Sequence, residues 1–335
     1  MKKNNKNKWN WLKIVIGFVV TVLALWLSFK NLDWRVLKEA LLRINLIWVG
    51  LAVLNAVFTV YALGFRWRIL LASKKSVSLG YIFRLNILNQ YANILVPARL
   101  GEVIRIYLIR RGAGIPVAYA AGTVLIEKMM DTFAFVTLWI AVPAVLALQE
   151  KVRGYKIAVF VCGAMAVLLL VLIWRPAVFL RLIRFASRIL PHKFRDRIVG
   201  FFEEGFKAFH MLKDVKILIF LILLTFVLVM LEVLTNFMLF QAFDFPLPFV
   251  AALFLLLGVQ VGVILPSTPG KVGVLELAVI YSLSVFSIPK SEALSFALVF
   301  HIIVFLPKIL LGLYFISRLD ISLKKNYFLE KNEKP

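Results

Sequence analysis

The sequence predicts an all-α polytopic membrane protein: six full-length transmembrane helices plus two Pro/Gly-broken re-entrant hairpins in an inverted-repeat arrangement. Three observations carry this reading. Hydrophobic residues make up 62% of the 335 residues against 17% charged, and the mean hydropathy of +0.92 does not describe a water-soluble surface. Apolar runs long enough to cross a bilayer recur along the chain, and two further apolar stretches are broken in the middle by Pro and Gly. The single cysteine, Cys162, excludes an intrachain disulfide and a Cys metal cluster. His192, His210 and His301 show no metal-ligand spacing, so no metal site is expected and no cofactor is predicted.

A hydrocarbon core of ~30 Å needs roughly 20 apolar helical residues. Runs of this kind cover 14–29, 44–65, 116–148, 157–174, 217–240 and 293–316. The first has a Lys-rich flank, but no small-x-small cleavage site follows it, so it reads as a retained helix. The third, at ~1.5 Å per residue, is about 50 Å long and does not fit wholly within hydrocarbon. The interrupted stretches are 79–112 and 249–287. Read as hairpins that enter and leave on one side, they put both termini on the same face. Of the 40 Lys and Arg, 28 then fall in 1–13, 66–78, 98–115, 175–216 and 317–335, and 8 in 30–43, 149–156, 241–248 and 287–292. That asymmetry predicts a multi-pass protein of the cell (plasma) membrane with both termini cytoplasmic. Two crossings per interrupted stretch would keep the same sidedness, so eight or more kinked spans is the alternative.

Internal symmetry favours the hairpins. Segment 44–148 reads as a first repeat and 217–316 as a second, inverted one within a single membrane domain. Their tips share a Pro-x-basic-x-Gly pattern, Pro97-Ala98-Arg99-Leu100-Gly101 against Pro269-Gly270-Lys271-Val272-Gly273. Between the repeats, 175–216 mixes Arg175, Arg181, Arg184, Arg188, Lys193, Arg195 and Arg197 with apolar residues every three or four positions. This predicts an amphipathic basic helix on the cytoplasmic interface.

Ionisable residues inside spans are costly and mark pairs or pathways. Arg84, Glu127, Lys128, Asp131, Glu232, Lys271, Glu276 and Lys308 fall there, with no net charge. Glu127 and Asp131 are four apart on one helix face, and Arg99, Arg105 and Lys271 are the candidate cations beside them. In the first interrupted stretch Asn86, Asn89, Gln90 and Asn93 form an amide stripe that must line a polar cavity or pack on another helix. Pro97 breaks that helix. The half-helix after it offers a positive dipole end beside Arg99 and Arg105 for an anion such as a lipid phosphate, with Glu102 for a cationic headgroup. The second stretch repeats the device with Pro266, Pro269, Gly270, Lys271, Gly273 and Glu276. Candidate substrate-binding residues are therefore Asn89, Gln90, Asn93, Arg99, Glu102, Arg105, Glu127, Asp131, Lys271 and Glu276, and the hairpin breaks are Pro97, Gly101, Pro266, Pro269, Gly270 and Gly273.

PARLGEVIR at 97–105, EKMMD at 127–131 and PSTPGKVGVLE at 266–276, in that order on a polytopic frame, resemble the lysylphosphatidylglycerol synthase transmembrane-region family. This is the membrane domain of multiple peptide resistance factors. The resemblance implies a flippase-type domain that moves aminoacylated phosphatidylglycerol between leaflets, while a separate cytosolic domain makes that lipid. Only 17 residues follow Arg318, so the synthase domain is expected to be missing and the label of phosphatidylglycerol lysyltransferase to be doubtful. The leading expectation is a lipid transporter; the alternatives are a lipid-headgroup transfer enzyme and a membrane partner that presents lipid to another enzyme. The expected partners are membrane phospholipids, anionic or aminoacylated, and a separate lipid-modifying enzyme. Nucleic acid is not expected, no catalytic residue is assigned, and an oligomer is left open.

Overall fold

Where the sequence alternates long apolar runs with short polar ones, the computed structural model of the protein has helices joined by short turns. It describes residues 21–30, 32–96, 100–145, 155–189, 191–262 and 269–318, and no strand occurs among them. After α1 (21–29), Asp33 caps α2 (Trp34–Leu42) by accepting from the N–H groups of Arg35 and Val36, and Asn45 caps α3 (Leu46–Ala72) through Ile47 N–H. The first interrupted stretch becomes α4 (Leu79–Leu95) and α5 (Gly101–Ala113). α5 stops at Gly114, whose φ of +72° lies in the left-handed region open to glycine. Then come α6 (Val117–Val145), α7 (Tyr155–Trp174), α8 (Pro176–Ala186), α9 (His192–Phe206) and α10 (Val215–Ala242). The second interrupted stretch gives α11 (Phe249–Gly262) and α12 (Val274–Ser284), and α13 (Lys290–Ser317) closes the fold.

By length and composition α3, α10 and α13 are able to cross a membrane. α6 is longer still, at 29 residues, but carries Glu127, Lys128 and Asp131 near its middle. α3 and α10 run antiparallel and share the most extensive helix contact. Asn45 N–H donates to the Ala242 carbonyl at one end, Asn55 Nδ2 donates to Thr235 Oγ1 further in, and Arg66 Nη1 donates to Thr225 Oγ1 beyond it.

Both interrupted stretches are antiparallel helical hairpins. In the first, Tyr81 Oη donates to the Leu108 carbonyl, Arg105 Nη1 to Asn86 Oδ1, and Gly101 N–H to Asn93 Oδ1, so the arms pair from base to tip. Lys75 Nζ donates to the Ala113 carbonyl, which holds both ends of this hairpin beside the end of α3. In the second, glycines let the arms touch: a Cβ on Gly258 would lie 2.0 Å from Ser282 Oγ, and one on Gly262 2.5 Å from Ala278 Cβ. Its open end lies between the end of α10 and the start of α13, at the opposite end of the fold. The tips approach each other, with α4 touching the short 3-10 turn Pro269–Lys271. α13 packs on α4, and α6 packs on α11.

Segment 175–216 differs from the single amphipathic helix the sequence suggests. Residues 166–174 of α7 and α8 meet at 89° around Arg175 and Pro176. A 3-10 turn and Pro191 then separate α8 from α9, since proline starts a helix but does not continue one. Phe206 and Phe209 are buried against the bundle, whereas Phe201 and Phe202 are exposed.

Candidate functional site: a charged layer between two apolar cores

The buried apolar residues fall into two cores. One joins Trp67, Leu70 and Leu71 of α3 with Ile109, Ile126, Phe209 and Leu221. The other joins Ala52 with Val229 to Ala242 of α10, Phe245 just after it, the second hairpin and the first half of α13. Between them the polar side chains of α3, α5, α6 and α10 meet. On α3 the residue just before the first core is Arg66; on α10 Thr225 lies between Leu221 and Val229.

Arg66 is 1% exposed and donates through Nη1 to Asp131 Oδ1 at 2.6 Å and to Thr225 Oγ1 at 3.1 Å. Its Nη2 lies 3.9 Å from Glu127 Oε1. Arg105, 4% exposed, donates through Nη2 to Glu127 Oε2 at 2.6 Å and through Nη1 to Asn86 Oδ1 at 2.9 Å. Its guanidinium lies over the Trp67 ring at 4.2 Å, and Trp67 Nε1 donates to Thr123 Oγ1. Glu127 is thus held between two arginines, and Asp131, one turn on, faces the more exposed side of the layer at 29% side-chain exposure. Lys128 Nζ reaches Glu102 Oε1 at 3.2 Å. Glu232 on α10 and Lys308 on α13 are half-buried and within electrostatic reach of each other, and Glu232 also senses Asp131, Arg66 and Lys128. Desolvated ions of one sign are costly, and matched pairing is what keeps such a layer stable. The Nε atoms of Arg66 and Arg105 and Oε2 of Glu102 are buried without a hydrogen-bond partner.

The amide stripe closes the first hairpin. Asn86 orients Arg105, while Asn89 and Asn93 face the start of α5, where Gly101 N–H donates to Asn93 Oδ1 at 2.8 Å. A Cβ on Gly101 would lie 2.1 Å from the Asn89 carbonyl oxygen, so this glycine permits a close helix approach as the first residue of α5. Gln90 is half-buried on the same helix. At the second tip Gly270 and Gly273 have φ of +75° and +82°, and Lys271 has φ +58°. Glu276, 3% exposed, accepts from Gly273 N–H through Oε2 at 2.6 Å, and its Oε1 meets His301 Nδ1 at 2.6 Å. Pro269 opens the 3-10 turn at this tip. Pro97, Arg99 and Pro266 lie outside the described residues.

The pattern of the family described as "Lysylphosphatidylglycerol synthase TM region" matches residues 14–312. The chain belongs to this family. It is also 28% identical over 239 residues to a UPF0104 membrane protein of Methanocaldococcus jannaschii, an alignment that covers 70% of this chain and 98% of that one. The family name ties the domain to a lipid-related role, and the archaeal relative's name states only a membrane protein.

Within this family frame, the structure brings Arg105, Glu127 and Asp131 together, pairs Glu102 with Lys128, and places Lys271 and Glu276 at the other tip. Two charge partners escape the sequence reading. Arg66 lies at the end of an apolar run and counts there as a cytoplasmic flank residue, but α3 continues to Ala72 and buries it. His301 lacks metal-ligand spacing in the sequence, yet it is the partner of Glu276.

Proposed function

We propose that the protein moves a phospholipid, anionic or aminoacylated, between the leaflets of the cell membrane as a multi-pass protein with both termini cytoplasmic. The observation that carries this is the buried, charge-balanced layer at the depth where hairpins from opposite ends of the fold meet. A headgroup crossing ~30 Å of hydrocarbon needs groups of both signs on its way: guanidinium for phosphate, carboxylate for ammonium or hydroxyl. Read as re-entrant, the two hairpins are the broken helices of an inverted repeat, and the packing supports that reading. α3 pairs with α10, α4 with α13 as α11 with α6, and each hairpin packs on the long helices before and after it. An apolar cavity of ≈150 Å³ between α6, α7 and α10, lined by Thr225 beside Arg66, offers room for part of an acyl chain. Lys74, Lys75, Arg110, Arg111, Lys207, Lys213 and Lys216 gather at one end with the basic α8 and α9, as expected of a cytoplasmic face.

The test is leaflet exchange of fluorescent phosphatidylglycerol in liposomes that hold the purified protein, read by quenching from outside with dithionite. The protected fraction should fall relative to protein-free liposomes, and Asp131→Asn should slow that fall. Protection equal to that of empty liposomes removes the proposal, and competition by lysyl-phosphatidylglycerol identifies the aminoacylated headgroup.

A further inference from the structure

Two acid–base pairs occupy matching places in the two halves of the fold. Lys128 is the twelfth residue of α6 and reaches Glu102 in the first turn of α5; His301 is the twelfth residue of α13 and reaches Glu276 in the first turn of α12. Each pair ties the return arm of a hairpin to the long helix that follows it. They differ in how completely they are satisfied. Glu276 uses both oxygens, one for His301 and one for Gly273 N–H, and its side chain is 4% exposed. α1 lies across the same tip, with the Thr21 carbonyl 2.9 Å from where a Cβ on Gly273 would sit. Glu102 uses one oxygen only. Its Oε2 is buried without a partner, the Lys128 contact is longer at 3.2 Å, and the Lys128 side chain is 49% exposed. An idle buried carboxylate oxygen is a penalty that any arrangement supplying a donor relieves.

We propose that Lys128–Glu102 is the exchangeable lock of the first hairpin, at which the phosphate of an anionic lipid first binds, while His301–Glu276 holds the second hairpin closed. The phosphate takes Lys128 Nζ, Glu102 is released, and its free oxygen gains a donor from a hydroxyl or ammonium of the same headgroup. This rests on the lipid-transport reading and adds the point of access, the tip of the first hairpin, and the first residue the lipid meets.

The test measures maleimide labelling of single cysteines in a Cys162→Ser background, Leu100→Cys at the first tip and Val272→Cys at the second, with the full chain in nanodiscs. Both positions are exposed. Replacing phosphatidylcholine by phosphatidylglycerol should raise labelling of Leu100→Cys about threefold, the size expected for losing one half-exposed ion pair, and leave Val272→Cys unchanged. Lys128→Gln and Glu102→Gln should give the raised rate in both lipids. Glu276→Gln should raise labelling of Val272→Cys about tenfold, as its pair is buried, without effect at the first tip. Labelling of Leu100→Cys that ignores both Lys128→Gln and Glu102→Gln, in variants that keep the parent melting temperature, overturns the lock. An equal rise with inorganic phosphate added to phosphatidylcholine nanodiscs assigns the site to free phosphate and overturns lipid access there. Labelling is read without lipid movement, so a failed leaflet-exchange assay and a failed lock are separate results.

Discussion

Replacing Arg105 by Met tests whether the charged layer is a matched unit. Methionine keeps most of the volume, so the cavity contribution is small. The substitution removes the 2.6 Å contact to Glu127 and leaves that carboxylate, 4% exposed, with Arg66 at 3.9 Å. Breaking a buried pair from one side costs about 3–5 kcal/mol, and the remaining arginine puts this case near 3. Asn86 Oδ1 loses its donor, about 1 kcal/mol, and the stack on Trp67 is lost, about 1 kcal/mol more. Coupled losses do not add fully, so the expected total is about 3–4 kcal/mol. Equilibrium unfolding in mixed micelles of rising dodecyl sulfate fraction reads this number. In a Glu127→Gln background the same substitution should cost about 2 kcal/mol less, because no charge is then stranded. A cost under about 1 kcal/mol, or a cycle that closes additively, would show that Arg105 and Glu127 do not depend on each other.

The same assay separates two glycines. Gly101→Ala should destabilise by about 2–3 kcal/mol, because its Cβ meets the Asn89 backbone at 2.1 Å, whereas Gly80→Ala, with nothing within 4 Å, should be neutral or stabilising by about 0.5–1 kcal/mol. At the basic end, the Glu204 carboxyl is held below its ordinary 4.5 by hydrogen bonds from Lys207 and then Lys74. A depressed carboxyl stabilises the fold above its ordinary value and loses that contribution as pH falls through the depressed one. With these partners half-exposed the contribution is about 0.5 kcal/mol, and Glu204→Gln should remove that much of the stability lost on acidification below pH 4.5; an unchanged acid profile excludes the linkage.

The helices and their breaks were legible because both depend on local chemistry: apolar length, proline, and glycines such as Gly270 and Gly273 that hold positive φ. The carboxylate face of α6 was legible for the same reason, since Glu127 and Asp131 are one turn apart. Their partners were not. Arg66 is 65 residues from Asp131, and only the packing of α3 against α10 turns a flank residue into an interior one. His301 meets Glu276 across 25 residues and two helices. The basic segment misled in the other direction, as its regular spacing gave no sign of how Pro176 and Pro191 divide it.

The charged layer also bears on how the chain is made. An ionised Asp, Lys or Arg at the centre of a helix costs roughly 2.5–3.5 kcal/mol on entering the bilayer from the translocon. α6 carries three ionisable groups within five positions, which makes it a poor substrate for insertion alone. Arg66, on the earlier α3, is the counter-ion that makes it a better one. On the reading in which α6 spans the membrane, insertion of α6 is expected to depend on a helix synthesised before it, and Arg66→Leu should lower the inserted fraction of α6 in a translation–insertion assay.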